Sequence, residues 1–196
     1  MVVSPTLEQL ELQAQQTGLL LRVQMARPAG IWTLRLVVAE PSGAGRANLL
    51  GELKGWAYPG KRGFQLDTMR VLPKAPPGVG PLIWAATMAW AREVTPCREA
   101  RLLAIDDDPR QHRRLVRYFR SLGFVPTRLL GAAPSDLPLR LIWGGAGQLM
   151  VGDCDHVFRQ ALRRWGQVHP RHRDLSGAQV GQRDNCCEPG GHSGYG

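Results

Sequence analysis

Lysine is nearly missing from this 196-residue chain: it occurs only at positions 54, 61 and 74, although lysine and arginine together number 25. The formal charge of +9 and the pI near 10.2 are therefore carried almost wholly by arginine. A basic surface favours polyanions such as nucleic acid, acidic proteins or phosphorylated small molecules. An arginine bias also follows from genome composition, so nucleic acid stands as a possible partner and not the favoured one. Cysteine is scarce as well. Cys97, Cys154, Cys186 and Cys187 lack framework spacing, which excludes a disulfide-stapled scaffold and implies free thiols in a reducing compartment. Long apolar runs are missing too. The longest uncharged stretch, Ala75 to Ala91, falls short of the ~20 residues of a spanning helix and begins among prolines. Met1 to Leu10 has neither a basic n-region nor an apolar h-region. A cytosolic protein with no membrane partner is expected. Cys154, His156, His169 and His172 fit no tetrahedral zinc spacing, so no metal site is assigned.

What is present is an ordinary apolar fraction of 43%, in a chain long enough for one good core. Leu7 to Thr17 reads as a helix capped by Thr6 and stopped at Gly18. Strands follow at Leu19–Met25, Ile31–Ala39, Leu49–Tyr58 and Gly63–Pro73. Their short turns predict antiparallel pairing. After the fourth comes a loop, Lys74-Ala-Pro-Pro-Gly-Val-Gly80, and a helix from Pro81 to Arg92 that is apolar nearly all round and so buried on several sides. Arg101–Ile105 is a short strand. Asp108 caps the next helix, Pro109 occupies its first position and Gly123 ends it. Phe124–Leu130 and Leu139–Trp143 are the last strand candidates. A short helix spans His156–Trp165, and from Gly166 onward the composition is that of a disordered tail.

A glycine loop that opens a helix presents backbone N–H groups to an anion, assisted by the helix dipole. Lys74 and the arginines of the helix after Asp108 add positive potential. The order strand, glycine loop, helix, strand, helix, Gly-Phe, over residues 31–143, resembles the GCN5-related N-acetyltransferase superfamily. Gly78-Val79-Gly80 fits the end of its Gln/Arg-x-x-Gly-x-Gly/Ala loop, and Gly123-Phe124 fits the end of its Tyr-x-x-x-Gly-Phe helix stop.

The resemblance implies a mixed α/β fold with a central, mostly antiparallel sheet splayed at the glycine loop, and an abbreviated N-terminal part. It divides the chain into an N-terminal helix and strand (1–30), an acyl-CoA-binding domain (31–153), a C-terminal helix (154–165) and a tail (166–196). It further implies acetyl transfer from acetyl-CoA, the acyl-donor co-substrate, to an amine of unknown identity. Gly78, Val79 and Gly80 would hold the pyrophosphate, and the backbone of Met69 and Val71 the pantetheine arm.

The chain departs from the family pattern at three places. Ala75 stands at the Gln/Arg position, and Pro76 and Pro77 remove two amide donors. Phe119 stands where the family has the tyrosine that protonates the departing thiolate. Tyr118 is the catalytic candidate in its place, although one step along a helix turns it about 100° away. The alternative is a catalytically degenerate module that binds CoA or acts as a scaffold. Asp67, on the strand before the loop, can activate an amine through water, or is simply an exposed strand residue.

Overall fold

The computed structural model describes residues 4–43 and 45–169. Helix α1 (Leu7–Gln16) is followed by strands β1 (Leu20–Ala26), β2 (Trp32–Pro41), β3 (Ala47–Ala57) and β4 (Phe64–Val71). Then come α2 (Val79–Val94), β5 (Glu99–Ile105), α3 (Pro109–Leu122), β6 (Val125–Leu130), α4 (Leu137–Trp143), β7 (Gly147–Asp153) and α5 (Cys154–Val168). The strands form one seven-stranded sheet in the order β1-β2-β3-β4-β5-β7-β6. All neighbours run antiparallel except β4 and β5. This is the mixed α/β class with a mostly antiparallel sheet.

Local chemistry fixes several boundaries. Thr6 caps α1 through a capping box in which its side chain accepts from the Gln9 amide and the Gln9 side chain accepts from the Thr6 amide. Asp108 accepts from the amides of Arg110 and Gln111 at the start of α3, and Gly123 ends that helix with φ +102°.

Two expectations are corrected. Leu139–Trp143 lies within α4 and is no strand; Pro138 suits the first turn of a helix, and Gly144 closes it with φ +75°. The missing strand is β7, which adds between β5 and β6. The last helix is also longer than His156–Trp165, because Asp153 caps it through the His156 amide and it continues to Val168. Residues 166–168 thus belong to α5, and the rest of the expected tail, from residue 170, lies outside the described residues together with His172, Cys186 and Cys187.

Helices α1, α2 and α5 pack side by side, and α3 joins them through α5. The core is one cluster between these helices and the sheet, built on Leu34, Leu36 and Val38 of β2, Ala100, Leu102 and Ala104 of β5, and most of α2. The alternate residues of the sheet, among them Arg35 of β2, Lys54 of β3, Arg101 of β5 and Leu149 of β7, are exposed or half-buried. One face of the sheet therefore carries the helices and the other stays open. No helix among the described residues is long and apolar enough to cross a membrane.

Cys97 and Cys154 are buried free thiols. Burial, with Asp153 nearby, pushes the Cys154 thiol up from 9.0 to about 12. Between those values the unfolded chain has released this proton and the folded chain still holds it. Stability contributed by the neutral thiol is thus intact below pH 9 and is lost as pH rises toward 12, by at most ~1.4 kcal/mol per unit. Denaturation midpoints measured from pH 8 to 11 should show this decline, and Cys154→Ala should flatten it. A wild-type profile already flat above pH 9 would contradict the assignment.

Candidate functional site

The site begins where β4 leaves β5. Their parallel ladder holds only Phe64, Gln65 and Leu66 opposite Ala100, Arg101 and Leu102. At the next residue the pairing of β4 with β3 shifts by one, with Lys54 opposite Thr68 and Gly55 opposite Leu66, so that Asp67 is the extra residue of a bulge. A bulge bends its strand and increases the local twist. From Asp67 to Val71 the side of β4 facing β5 has no ladder partner. Met69 and Val71, the two residues expected to hold an extended arm, both fall in this open stretch. Met69 packs partly on the core and Val71 is exposed.

At the wide end of the gap stands the N-terminus of α2. Ala75 donates to the Leu72 carbonyl, and Val79 donates to the Pro76 carbonyl at 3.0 Å. Pro76 and Pro77 have no amide hydrogen. The amides of Gly78 and Gly80 therefore remain without a backbone acceptor among the described residues. Gly78 is buried and Gly80 half-buried. Of the three loop residues expected to bind pyrophosphate, Val79 has its amide occupied and only Gly80 is both free and partly open.

The sequence reading missed what covers Gly78. A Cβ placed there would come within 2.6 Å of His169 Nε2 and 2.8 Å of Trp165 Cζ3. These two rings touch in a tilted arrangement, 4.1 Å between centroids and 47° between planes. The Nε2 atom of His169 is buried and has no hydrogen-bond partner among the described residues. An orphaned ring nitrogen beside an amide-lined helix start fits an anion as its missing partner. Trp165 lies in the last turn of α5 and His169 caps its end, in a segment whose composition resembles a polar tail, and no local signal ties it to the loop.

Tyr118 reaches the same helix start from α3. Its hydroxyl lies 3.8 Å from where a Cβ on Gly80 would sit, and it accepts a hydrogen bond of 2.9 Å from Trp84 Nε1. Burial raises the Tyr118 pKa, while the Trp84 bond and the charge of Arg164 oppose the rise. The phenol is thus held protonated at neutral pH. Phe119 instead packs edge-on against Trp84 and Phe124, at 6.1 Å from each. The rotation between neighbours on α3 sends Phe119 into the aromatic cluster and Tyr118 to the glycine loop. Arg164, on α5, donates to the Ser121 carbonyl beside them. Arg110, Arg113, Arg114, Arg117 and Arg120 make no salt bridge among the described residues, and with Asp106, Asp107 and Asp108 at its start α3 carries a net positive charge.

Such a gap can accept an extended chain along an unpaired strand edge, and the helix start beside it can hold an anion. The donors for that anion are fewer than the resemblance implies: the Gly80 amide, His169 Nε2 and the surrounding arginines.

No protein-family model matches the chain, and no curated protein sequence matches it. Among solved structures, nourseothricin acetyltransferase is similar at 14% identity and a TM-score of 0.46, over 70% of this chain and 88% of its own. An uncharacterized protein from Bacillus halodurans is similar at 14% identity and a TM-score of 0.41, over 68% of this chain. The chain spans 64% of that second protein's length.

Proposed function

We propose that the chain is an acyl-CoA-dependent N-acyltransferase, which moves an acetyl group from acetyl-CoA to an amine and works in the cytoplasm. The observation that supports it most is the opening of β4 from β5 beyond Leu66, directly beside a helix start with a free Gly80 amide. In this reading the pantetheine arm lies along the unpaired edge containing Met69 and Val71. The pyrophosphate lies at Gly80, with Gly78 and Val79 shaping the turn, and His169 donates to it. The narrow end of the gap, at Leu66, receives the thioester.

The amine nitrogen attacks the thioester carbonyl carbon. A C–N bond forms, the C–S bond breaks, and its electron pair stays on sulfur. The nitrogen releases one proton and the sulfur takes one up from solvent; the Tyr118 hydroxyl, beside Gly80 and Trp84, stands at the pyrophosphate end of the gap. Positioning of the two substrates and backbone donors on the carbonyl oxygen provide most of the acceleration.

Calorimetric titration with acetyl-CoA at about 0.15 M salt, where exposed charges are screened, tests the reading. Saturable one-to-one binding that ATP does not reproduce is expected. Binding of ATP equal to that of acetyl-CoA, or no binding, would overturn it. A second reading, a CoA-binding or scaffold protein without turnover, is favoured by one observation: Val79 has its amide occupied and Gly78 is covered. Binding of acetyl-CoA with no slow thioester hydrolysis and no CoA release with any amine would select it.

A further inference from the structure

On the open face of the sheet, β1 to β4 form a cleft of about 310 Å³ lined by Gln24, Thr33, Arg35, Lys54, Trp56 and Asp67. Its volume is at the lower end of the ~300–1,000 Å³ of small-ligand sites. We propose that this cleft is the acceptor subsite and that it takes a zwitterion, a free amino acid or similar amino-carboxylate. The ammonium sits at Asp67 and the carboxylate at Lys54 and Arg35. This rests on the acyl-transfer reading above.

The charges in the cleft have both signs and do not neutralise one another. Asp67 and Lys54 form no ion pair among the described residues, although the Asp67 bulge lies opposite Lys54. The Asp67 carboxylate accepts only from the Thr68 hydroxyl, at 3.2 Å. Arg35 approaches Glu52 at a loose 3.6 Å with more than half its side chain exposed, an ion pair easily given up. A polyamine or other polycation entering here meets Arg35 and Lys54, and a purely anionic molecule meets Asp67. Only a ligand carrying both charges answers all three groups. Trp56, half-buried in the cleft floor, offers a flat apolar surface to the remainder of such a ligand.

Position supplies the second argument. Asp67 is the first residue past the last β4–β5 pair, so its side of the cleft borders the narrow end of the gap where the thioester would lie. The ammonium first gives one proton to Asp67, which exposes the lone pair; the neutral amine then attacks the thioester carbon, the C–S bond breaks onto sulfur, and the second nitrogen proton leaves to solvent while the thiolate takes one up. The product amide is no longer a cation, so the contact with Asp67 is lost and release is favoured.

The test compares L-phenylalanine, its methyl ester and spermidine by calorimetric titration, with acetyl-CoA titrated separately and CoA thiol release measured for each acceptor. L-phenylalanine should bind and be acetylated, and the ester should be weaker by about tenfold, the loss of one charge-assisted contact. Lys54→Met should remove most of that preference, and Asp67→Asn should abolish turnover while acetyl-CoA binding persists. Spermidine or the ester binding as well as the amino acid, or no amino-acid binding beside normal acetyl-CoA binding, would overturn the acceptor assignment alone. Absent acetyl-CoA binding would overturn the parent reading, and the acceptor assignment with it.

Discussion

Trp84→Ala should cost about 3–5 kcal/mol of unfolding free energy, the range for removing a large buried aromatic, out of a total of ~5–15 kcal/mol for a domain. Urea titration followed by far-UV circular dichroism measures it. The ring is 1% exposed and touches Phe124 at a centroid distance of 5.5 Å and Phe119 at 6.1 Å. Its N–H is the donor to Tyr118. Trp84 therefore joins α2, α3 and the turn after α3 at a single ring, and the cavity left by alanine would lie where three elements meet. Tyr118→Phe isolates the polar part. It leaves the indole N–H buried without an acceptor, at about 1–3 kcal/mol. A Trp84→Ala midpoint close to wild type would mean that the aromatic cluster does not clamp α3 onto α2.

Gly78→Ala should reduce acetyl-CoA affinity by about tenfold or more and lower stability by ~1–3 kcal/mol. The backbone at Gly78 is ordinary (φ −74°), so the effect is steric. The added methyl falls inside the contact distance of both His169 and Trp165, and the end of α5 must move off the loop. The double variant Gly78→Ala/His169→Ala relieves part of the clash. Its destabilisation should be smaller than the sum of the two single losses, the sign of direct coupling. Thermal melts of the three variants, beside acetyl-CoA titrations, give both numbers. Strict additivity would separate α5 from the glycine loop.

Much of the fold was legible because it is written locally. Asp108-Pro109 and Gly123 bracket α3 through one side chain, one fixed φ and one left-handed residue. Alternation marks β1 to β4. The failures have one cause. Leu137 to Trp143 is a short apolar run that suits a strand or a helix equally, while β7 contains Gly147, Gln148 and Gly152 and shows little strand character of its own. What makes β7 a strand is tertiary: Gly147 through Asp153 pair with the whole of β5 on one side and with β6 on the other. A Cβ at Gly147 would lie 2.2 Å from the Ala104 carbonyl oxygen, so the glycine that weakens the sequence signal is what admits the strand.

The candidate site was legible in its frame and not in its contents. The loop glycines can be located from spacing, while Met69, Val71 and Tyr118 are named only by the family resemblance. The occupied Val79 amide, the bulge at Asp67 and the cover of Gly78 by His169 depend on turn geometry, ladder register and a helix 90 residues further along.

Because β7 inserts between β5 and β6, the last quarter of the sheet cannot be assembled in the order in which it is synthesised. When β6 leaves the ribosome the position between it and β5 is still empty, and it has no neighbour until β7 has emerged. A chain cut anywhere between Leu130 and Gly147 would lose two strands from the sheet, and α5 with its hold on the glycine loop. The stop at Asp153 and the stop at His169 are thus two separate thresholds in the birth of the molecule: the first closes the sheet, and the second finishes the loop. Nascent chains halted at each length should differ in kind, the shorter with the seven-stranded sheet complete but α2 lacking its α5 cover, the longer resistant to protease throughout.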